Sequence, residues 1–428
     1  MSHQAEGAYR LGSIPERFLA ALSYRDFRTL WTASLCAGAA AWALIVARGW
    51  LAFAITETNS SLWVGVVTFS AMAPRFFLTP LVGFIADRFD RQTTLSWIYG
   101  LNLAHNVILA LLVTFGEVGI WHLVVLSAVN GSLRAAQQTT AQALIPNLVP
   151  RERLLNAVAL NQATQQGSRL VGPLAIAPLL AFVNVEAAFW VSSLFYGAGL
   201  IQVLRVKTRS RGRIDSSQSF LQNMAAGFIY TYEHPILLSM VLLAVGHCSL
   251  TMSYESILPA ISQEKLGAGS AGFSYLIAGV GAGALISSVF LAGIRNEATR
   301  GRVFLIFGIT SGLGPIALAL SSNHALSIAA TVFMGINQAG FMTITHAIIH
   351  SIVPDEIRGR IAGVYDMHVG GTMALANLTN GGLTELLNAP LVLVAGGVIL
   401  IIVIFSSIGL APLRRIYFPR VSTTSSFA

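Results

Sequence analysis

The sequence predicts an all-α polytopic membrane protein, with twelve transmembrane helices in two pseudo-symmetric six-helix bundles. Three observations predict it. Charged residues are only 10% of the 428 residues and hydrophobic residues are 54%. A soluble domain carries about 25% charged residues, so this chain lacks the polar surface that water demands. Twelve apolar stretches approach the roughly 20 residues that cross a bilayer core. A pattern also recurs at a constant offset of 204 residues: Ala143, Ile145, Val149, Pro150 and Glu152 match Ala347, Ile349, Val353, Pro354 and Glu356. The first copy stands just before the fifth stretch and the second just before the eleventh.

The first six spans are expected near 29–55, 62–86, 94–115, 120–144, 154–181 and 185–205. The second six are expected near 236–260, 270–293, 303–321, 325–350, 359–386 and 390–412. They read as helices because the apolar runs are unbroken, whereas barrel strands alternate. No cleavable leader is expected, since the first apolar run starts near Leu30 and no cleavage pattern follows it. The chain divides into an N-terminal arm (1–28), a six-helix bundle (29–205), a linker (206–235), a second bundle (236–412) and a tail (413–428).

Basic residues sort to one side of these spans. Arg10, Arg17, Arg25 and Arg28 lie in the arm, Arg88 and Arg91 after the second span, and Arg151 and Arg153 after the fourth. Arg205 closes the sixth span, and the linker carries Lys207, Arg209, Arg211 and Arg213. Arg295, Arg300, Arg302, Arg358, Arg360, Arg414, Arg415 and Arg420 continue the pattern. Only Lys265 falls on the other side. By the positive-inside rule both termini are expected in the cytoplasm, with the chain spanning the cell (inner) membrane. The net charge of +8 therefore marks topology, and no nucleic-acid partner is expected. Cys36 and Cys248 lie in separate apolar runs and imply no disulfide framework.

Six charged residues fall inside predicted spans away from their ends: Arg48, Arg75, Arg134, Arg169, Glu255 and Asp366. A charge at the bilayer centre costs about 2.5–3.5 kcal/mol on insertion scales, so each is a candidate for substrate or proton binding, with structural pairing as the alternative. Arg134 lies mid-span with Gln137 one turn on. Arg75 follows Pro74 and sits deep. Arg48 sits in the outer half of its span, where snorkelling to the interface is the other reading. Glu255 and Asp366 are the candidate proton carriers, because burial raises a carboxyl pKa toward neutrality. Glu255 stands near its span's outer end, where solvation is the competing reading. Arg169 precedes Gly172-Pro173, a pair that removes a helix hydrogen bond and permits close helix contact.

Other features have plainer readings. Histidines 105, 247, 346 and 368 are scattered, and no metal site is expected from them. Gly279, Gly281 and Gly283 suit helix packing. The only two lysines, Lys207 and Lys265, complete no nucleotide-binding G-x-x-x-x-G-K-[ST], and no clustered catalytic set marks an enzyme. The surplus of intramembrane arginine over carboxylate points to an anionic or polyphenolic substrate rather than a cationic drug, and aromatics lining a cavity would suit an amphipathic one.

Between the second and third spans stands Gly83-Phe-Ile-Ala-Asp87-Arg88-Phe-Asp90-Arg91-Gln92. This resembles the G-x-x-x-D-R/K-x-G-R/K-R/K loop of the major facilitator superfamily. Gly83, Asp87, Arg88 and Arg91 match; Asp90 replaces a glycine and Gln92 a basic residue. The Asp-Arg-x-Asp-Arg form looks like the branch of macrolide-efflux and enterobactin exporters. Gly49-Trp50-Leu51, Trp121-His122-Leu123 and Pro150-Arg-Glu-Arg-Leu-Leu-Asn156-Ala fit that branch, and the resemblance runs from Tyr24 to Leu413. Arg134-Ala-Ala-Gln137 is similar to the R-x-x-Q of proton-linked facilitators. Gly167, Gly172-Pro173 and Pro178 partly resemble the antiporter motif, with Ala175 and Ile176 where its paired glycines stand.

The resemblance implies a secondary active exporter of a drug-like or siderophore-like small molecule. A proton gradient is the energy source and no cofactor is needed. Such a carrier is expected as a monomer among membrane lipids. Gating is expected from Gly83, Asp87, Arg88, Arg91, Gly172, Pro173, Arg358 and Arg360, with Asp87 latching the halves near Arg358 and Arg360. An importer on the same fold is the alternative, followed by an uncoupled channel or lipid translocator.

Overall fold

The computed structural model describes residues 19–58, 60–210, 220–291, 297–354 and 357–418. Arg10, Arg17, Arg211, Arg213, Arg295, Glu356 and Arg420 lie outside the described residues, as do the side chains of Arg75, Asp87 and Arg88 and the surroundings of Gly83. Among the described residues there are helices and no strands.

The first six long helices are α1 (Arg25–Ala54), α2 (Ser60–Arg88), α3 (Arg91–Thr114), α4 (Ile120–Leu144), α5 (Leu154–Phe182) and α6 (Val185–Leu204). A shorter helix, α7 (Phe220–Glu233), lies within the predicted linker. Next come α8 (Pro235–His247), α9 (Gly269–Leu291), α10 (Glu297–Leu320), α11 (His324–Ile352), α12 (Arg358–Leu387) and α13 (Ala389–Ser407), and α14 (Ala411–Tyr417) ends the described chain. α1, α3, α6, α9, α10, α11, α13 and the extended run Pro235–Met252 are long and apolar enough to cross a membrane. α2 is apolar over Ser60–Pro74, and α4, α5 and α12 are as long as the others but carry more polar residues. These four carry Arg75, Arg134, Arg169 and Asp366.

Helix starts follow from side chains that satisfy free amides. Asp90 accepts from the Thr93 amide at 2.9 Å to open α3. Asn184 does the same for Ala187 at 2.9 Å in α6, and Asn323 for Ala325 at 2.8 Å in α11. Asn388, at φ 91°, turns the chain between α12 and α13 and accepts from Leu391 at 3.0 Å.

The predicted seventh span is not one helix. α8 runs into a wide helical turn through Met252, then leaves helical geometry at Ser253 and Tyr254 and resumes at Leu258–Ala260. The freed backbone groups are taken up by distant amides. Gln338 donates to Thr251 O at 2.7 Å, Asn380 donates to Ser253 O at 2.7 Å, and the Ser256 amide donates to Asn377 Oδ1 at 3.3 Å. Unpartnered backbone at membrane depth costs several kcal/mol per group, so these amides make the break tenable.

The cores reveal the shape. Toward the face where α1 ends, one apolar core draws on both halves, joining Leu44, Val64, Ile176 and Phe189 to Tyr254, Leu258, Phe273 and Leu276. Toward the face where α1 begins there are two separate cores. One is built from the first half around Phe27, Tyr99 and Tyr196. The other is built from the second half around Phe304, Phe341 and Tyr365. The halves are thus sealed at the far face and part toward the arginine-bearing face.

At the arginine-bearing face the chain leaving α6 is fastened down. Asp26 accepts from the amides of Lys207 (3.1 Å) and Thr208 (2.8 Å) and from the Thr208 hydroxyl (2.7 Å). Asp90 accepts from Arg209 Nη1 at 3.1 Å and the Ser210 amide at 3.1 Å. The Arg91 amide returns a bond to Ser210 O at 2.8 Å, and Arg91 Nη1 reaches Ala143 O at 3.0 Å. Burial alone pushes the Asp90 carboxyl up, but the bonds from Thr93, Arg209 and Ser210 outweigh it and hold the group below its ordinary value of 3.8.

A lowered folded pKa contributes stability above the unfolded value that is lost as pH falls through the folded one. Hydrogen exchange at Ser210, corrected for the intrinsic rate, should therefore show protection from pH 5 to 7 that disappears below 3.8. Asp90→Ala should abolish that protection at neutral pH and cost about 1 kcal/mol through the lost cap.

Candidate functional site

At the seam under the far-face seal, α1, α4 and α5 converge on the break after α8. Arg134 and Arg169 share one aromatic platform. Their guanidinium carbons lie 5.6 Å and 4.8 Å from the Trp42 ring centre. Arg169 also donates to the Tyr254 hydroxyl, its guanidinium carbon 5.7 Å from that ring. Such contacts hold a cation without neutralising it.

Glu255, next to Tyr254, is 4% exposed. It lies within electrostatic reach of Arg169, Arg134 and Arg48. Among the described residues it is the one carboxylate acting on Arg48 and Arg134. Three cations of the first half therefore face one anion of the second. Their hydrogen bonding is incomplete: Glu255 Oε2, Arg48 Nη1 and Arg169 Nε are buried with no partner atom in the protein. Groups in that condition inside a packed protein are unusual and mark places where a proton, water or ligand is handled.

Two expectations are corrected here. Arg48 does not snorkel; it is 3% exposed because α1 runs through the centre of the first half. Glu255 is not solvated near a span end, because the break folds it inward against α5. Asp366 lies apart from this cluster, exposed on α12 and within electrostatic reach of His346. Gln137 Oε1 accepts from Asn102 at 3.4 Å and belongs to a buried amide seam, with Asn130 donating to Asn102 Oδ1 at 3.3 Å. Arg358 Nη2 caps Val353 O at 3.3 Å; Arg360 also stands in the first turn of α12.

The far-face seal uses residues expected to gate. A β-carbon at Gly172 would sit 2.3 Å from Ala39 O, so this glycine lets α5 lie against α1. Pro173 O accepts from Ser274 of α9 at 2.7 Å, a hydrogen bond that crosses between the halves. Ser270 donates to Leu180 O at 3.1 Å. α2 and α12 meet even more closely. Glu385 Oε1 accepts from the Ser61 amide at 2.6 Å, placing a carboxylate on the positive end of α2. A β-carbon would lie 2.7 Å from Asn377 O at Gly65 and 2.4 Å from Ser61 O at Gly381. By contrast, Gly359, Gly363 and Gly370, toward the other end of α12, have no atom within 4 Å of that position.

Sequence reasoning missed Gln338, Asn377, Asn380 and Glu385. Buried amides in predicted spans ten and eleven, and Pro259 inside span seven, were the available signals. It also treated the span histidines as scattered, whereas His350 stands four residues from His346 with ring centres 6.4 Å apart.

Twelve spanning segments, a seam sealed at one face, and a charge cluster beneath the seal define a carrier of the major facilitator fold. The family model for transmembrane secretion effectors matches residues 17–416. The chain belongs to that family of the major facilitator superfamily, and it is a multi-pass membrane transporter rather than an enzyme. It is 22% identical to macrolide efflux protein A of Streptococcus pyogenes over 76% of this chain and 80% of that one. It is 22% identical to the enterobactin exporter EntS of Shigella boydii over 84% and 86%. Among solved structures, a POT family transporter in complex with 5-aminolevulinic acid superposes with a TM-score of 0.71 at 13% identity, over 91% of this chain and 96% of that one.

Gly381→Val should obstruct closure of the far face. Overpacking costs about 1–3 kcal/mol, and each 1.4 kcal/mol is about tenfold in a population. A cysteine replacing Ser274 should then react with a bulky thiol reagent applied at the far face about tenfold faster or more. An unchanged rate would remove the α2–α12 contact from the seal.

Proposed function

We propose that this transporter is a proton-coupled exporter of a small amphipathic or anionic molecule, working by alternating access in the cell membrane with the arginine-bearing face in the cytoplasm. One observation carries this reading: three guanidinium groups of one half, Arg48, Arg134 and Arg169, are answered by the single carboxylate Glu255 of the other.

In the form sealed at the far face, Glu255 balances part of that charge. An anion entering from the cytoplasm competes with Glu255 for the arginines, and Trp42 and Tyr254 offer aromatic surface to its apolar part. Opening the far face carries Glu255 away from the arginines. The carboxylate then loses its cations and takes a proton from outside, while the substrate leaves. Closure returns the protonated residue to the arginines, whose charge works against the burial that favours the protonated form and helps drive the proton off. Asp366, exposed on α12, serves as the exit group on the cytoplasmic side. Arg75, Asp87 and Arg88 are retained as candidates beside them, Asp87 latching the halves when the cytoplasmic side closes. The gradient supplies the energy and no cofactor enters this scheme. The efflux relatives support the outward direction; uptake is the alternative the test excludes.

Inverted vesicles carrying the protein should accumulate a fluorescent anionic amphiphile when their lumen is acidified. Glu255→Gln and Asp366→Asn should each lower that rate by about tenfold or more, the loss expected for a misplaced proton-transfer group. Counterflow without a pH gradient should persist in Asp366→Asn. Full coupling retained in both variants, or accumulation only in right-side-out vesicles, would overturn the scheme.

A further inference from the structure

The wide turn that ends α8 gathers sulfur. Cys248 Sγ lies 3.7 Å from Met252 Sδ and 3.8 Å from Met342 Sδ of α11. The Tyr365 hydroxyl of α12 donates to Met342 Sδ at 3.8 Å and fixes how that thioether is turned. Cys248 is a free, fully buried thiol, and both methionines are half-buried. Two segments distant in the chain thus bring one thiol and two thioethers to a point, and a third supplies Tyr365.

The spacing suits a shared ion. Three sulfurs each about 2.3 Å from a metal, the usual metal–thiolate length, stand about 4 Å apart when the ion lies in their plane. Both measured separations fall just inside that. The donor chemistry narrows the ion. Thiolate and thioether ligands are soft and select Cu(I) over harder cations. Among the described residues no three His, Cys, Asp or Glu side chains are placed to hold a metal, so zinc or a harder divalent ion lacks a donor set. Charge narrows it further. A monovalent ion with one thiolate is neutral, whereas a divalent ion would leave a net charge in an apolar interior, where an uncompensated charge is costly.

A second arrangement leads to this point. Met342, His346 and His350 follow one another at four-residue spacing and so line one face of α11. His346 and His350 are exposed toward the arginine-bearing end, with ring centres 6.4 Å apart. His346 stands edge-on to Tyr365 at 4.7 Å, and Tyr365 in turn holds Met342. Nitrogen donors therefore step from the open side toward the buried thiol.

We propose that Cys248, Met252 and Met342 form a binding site for a soft monovalent cation, Cu(I) or Ag(I), reached from the arginine-bearing face past His350 and His346. On binding, the Cys248 thiol releases its proton to solvent and the thiolate bonds the ion, with no change of oxidation state. The site is separate from the arginine cluster and does not depend on what the carrier transports. It ties the wide turn of α8 to α11 just ahead of the segment that bears Tyr254 and Glu255.

The test uses the purified full-length protein and Ag(I), or Cu(I) held reduced and competed with bicinchoninate. One ion per chain is expected, with only sulfur neighbours in X-ray absorption. Cys248→Ser, and the volume-conserving double variant Met252→Leu/Met342→Leu, should each weaken binding by more than the roughly 10–100-fold that loss of a ligand's supporting partner costs. Tyr365→Phe should fall within that 10–100-fold range, and Cys36→Ser should change nothing. His346→Ala/His350→Ala should slow loading and leave the sulfur shell intact. Fewer than one ion per two chains, a nitrogen or oxygen shell, or unchanged affinity in the folded double-leucine variant would overturn the proposal.

Discussion

A cation buried among apolar helices must be answered by something, and the rest of this structure depends on how that is done. Arg48 and Arg134 lie where water does not reach freely, and Arg169 is held against Trp42 and Tyr254. Among the described residues the first half supplies no carboxylate that acts on Arg48 or Arg134. Glu255 supplies it from the second half, and it arrives only because the chain after α8 leaves helical geometry. The two halves are therefore joined by charge as well as by apolar packing. A seal made of leucine and phenylalanine alone would be indifferent to protons and anions. A seal that encloses unequal numbers of opposite charges is not, because the energy of parting its halves depends on what else occupies the site.

The break in the seventh span is the costliest feature of that arrangement and the least legible in the sequence. Ser253-Tyr254-Glu255-Ser256 contains neither glycine nor proline, and the apolar run around it reads as a continuous helix. The residues that make the break tenable stand 87, 121 and 127 positions away along the chain. No local pattern shows that Gln338, Asn377 and Asn380 answer Thr251, Ser256 and Ser253. The helix count was legible because length and apolarity are local properties. The charges within spans were legible because their scarcity singles them out. Which of those charges meet was not, because that is decided by packing between helices far apart in sequence.

Asp90 shows how a departure from a family pattern can be read once the fold is known. As a sequence feature it only weakens a motif by replacing a glycine. In the structure it caps α3, pairs with Arg209 at 3.1 Å and holds the Ser210 amide. A glycine offers none of these contacts. The same loop that the superfamily associates with gating here also fastens the start of the linker to the first half. Asp26 supports it from the beginning of α1. The linker therefore leaves the first half from a defined point.

The polar residues of α4, α5 and α12, and the close α2–α12 contact, follow from the same economy. α2 meets α12 and α5 meets α9 at the seam between the halves, while α4 carries Arg134 to its edge. A helix that must slide against a partner, or face water in one state and protein in another, cannot be uniformly apolar. Its glycines serve the closed state by admitting backbone contact, as Gly65 and Gly381 do. They serve the open end by leaving room, as Gly359, Gly363 and Gly370 do. One helix, α12, does both along its length. Near its far end, backbone packing and the Glu385 bond to α2 fix it. Toward the arginine-bearing face, a β-carbon at Gly359, Gly363 or Gly370 would meet nothing within 4 Å. The gradient of packing along that helix is what allows one seam to be tight at one face and open at the other.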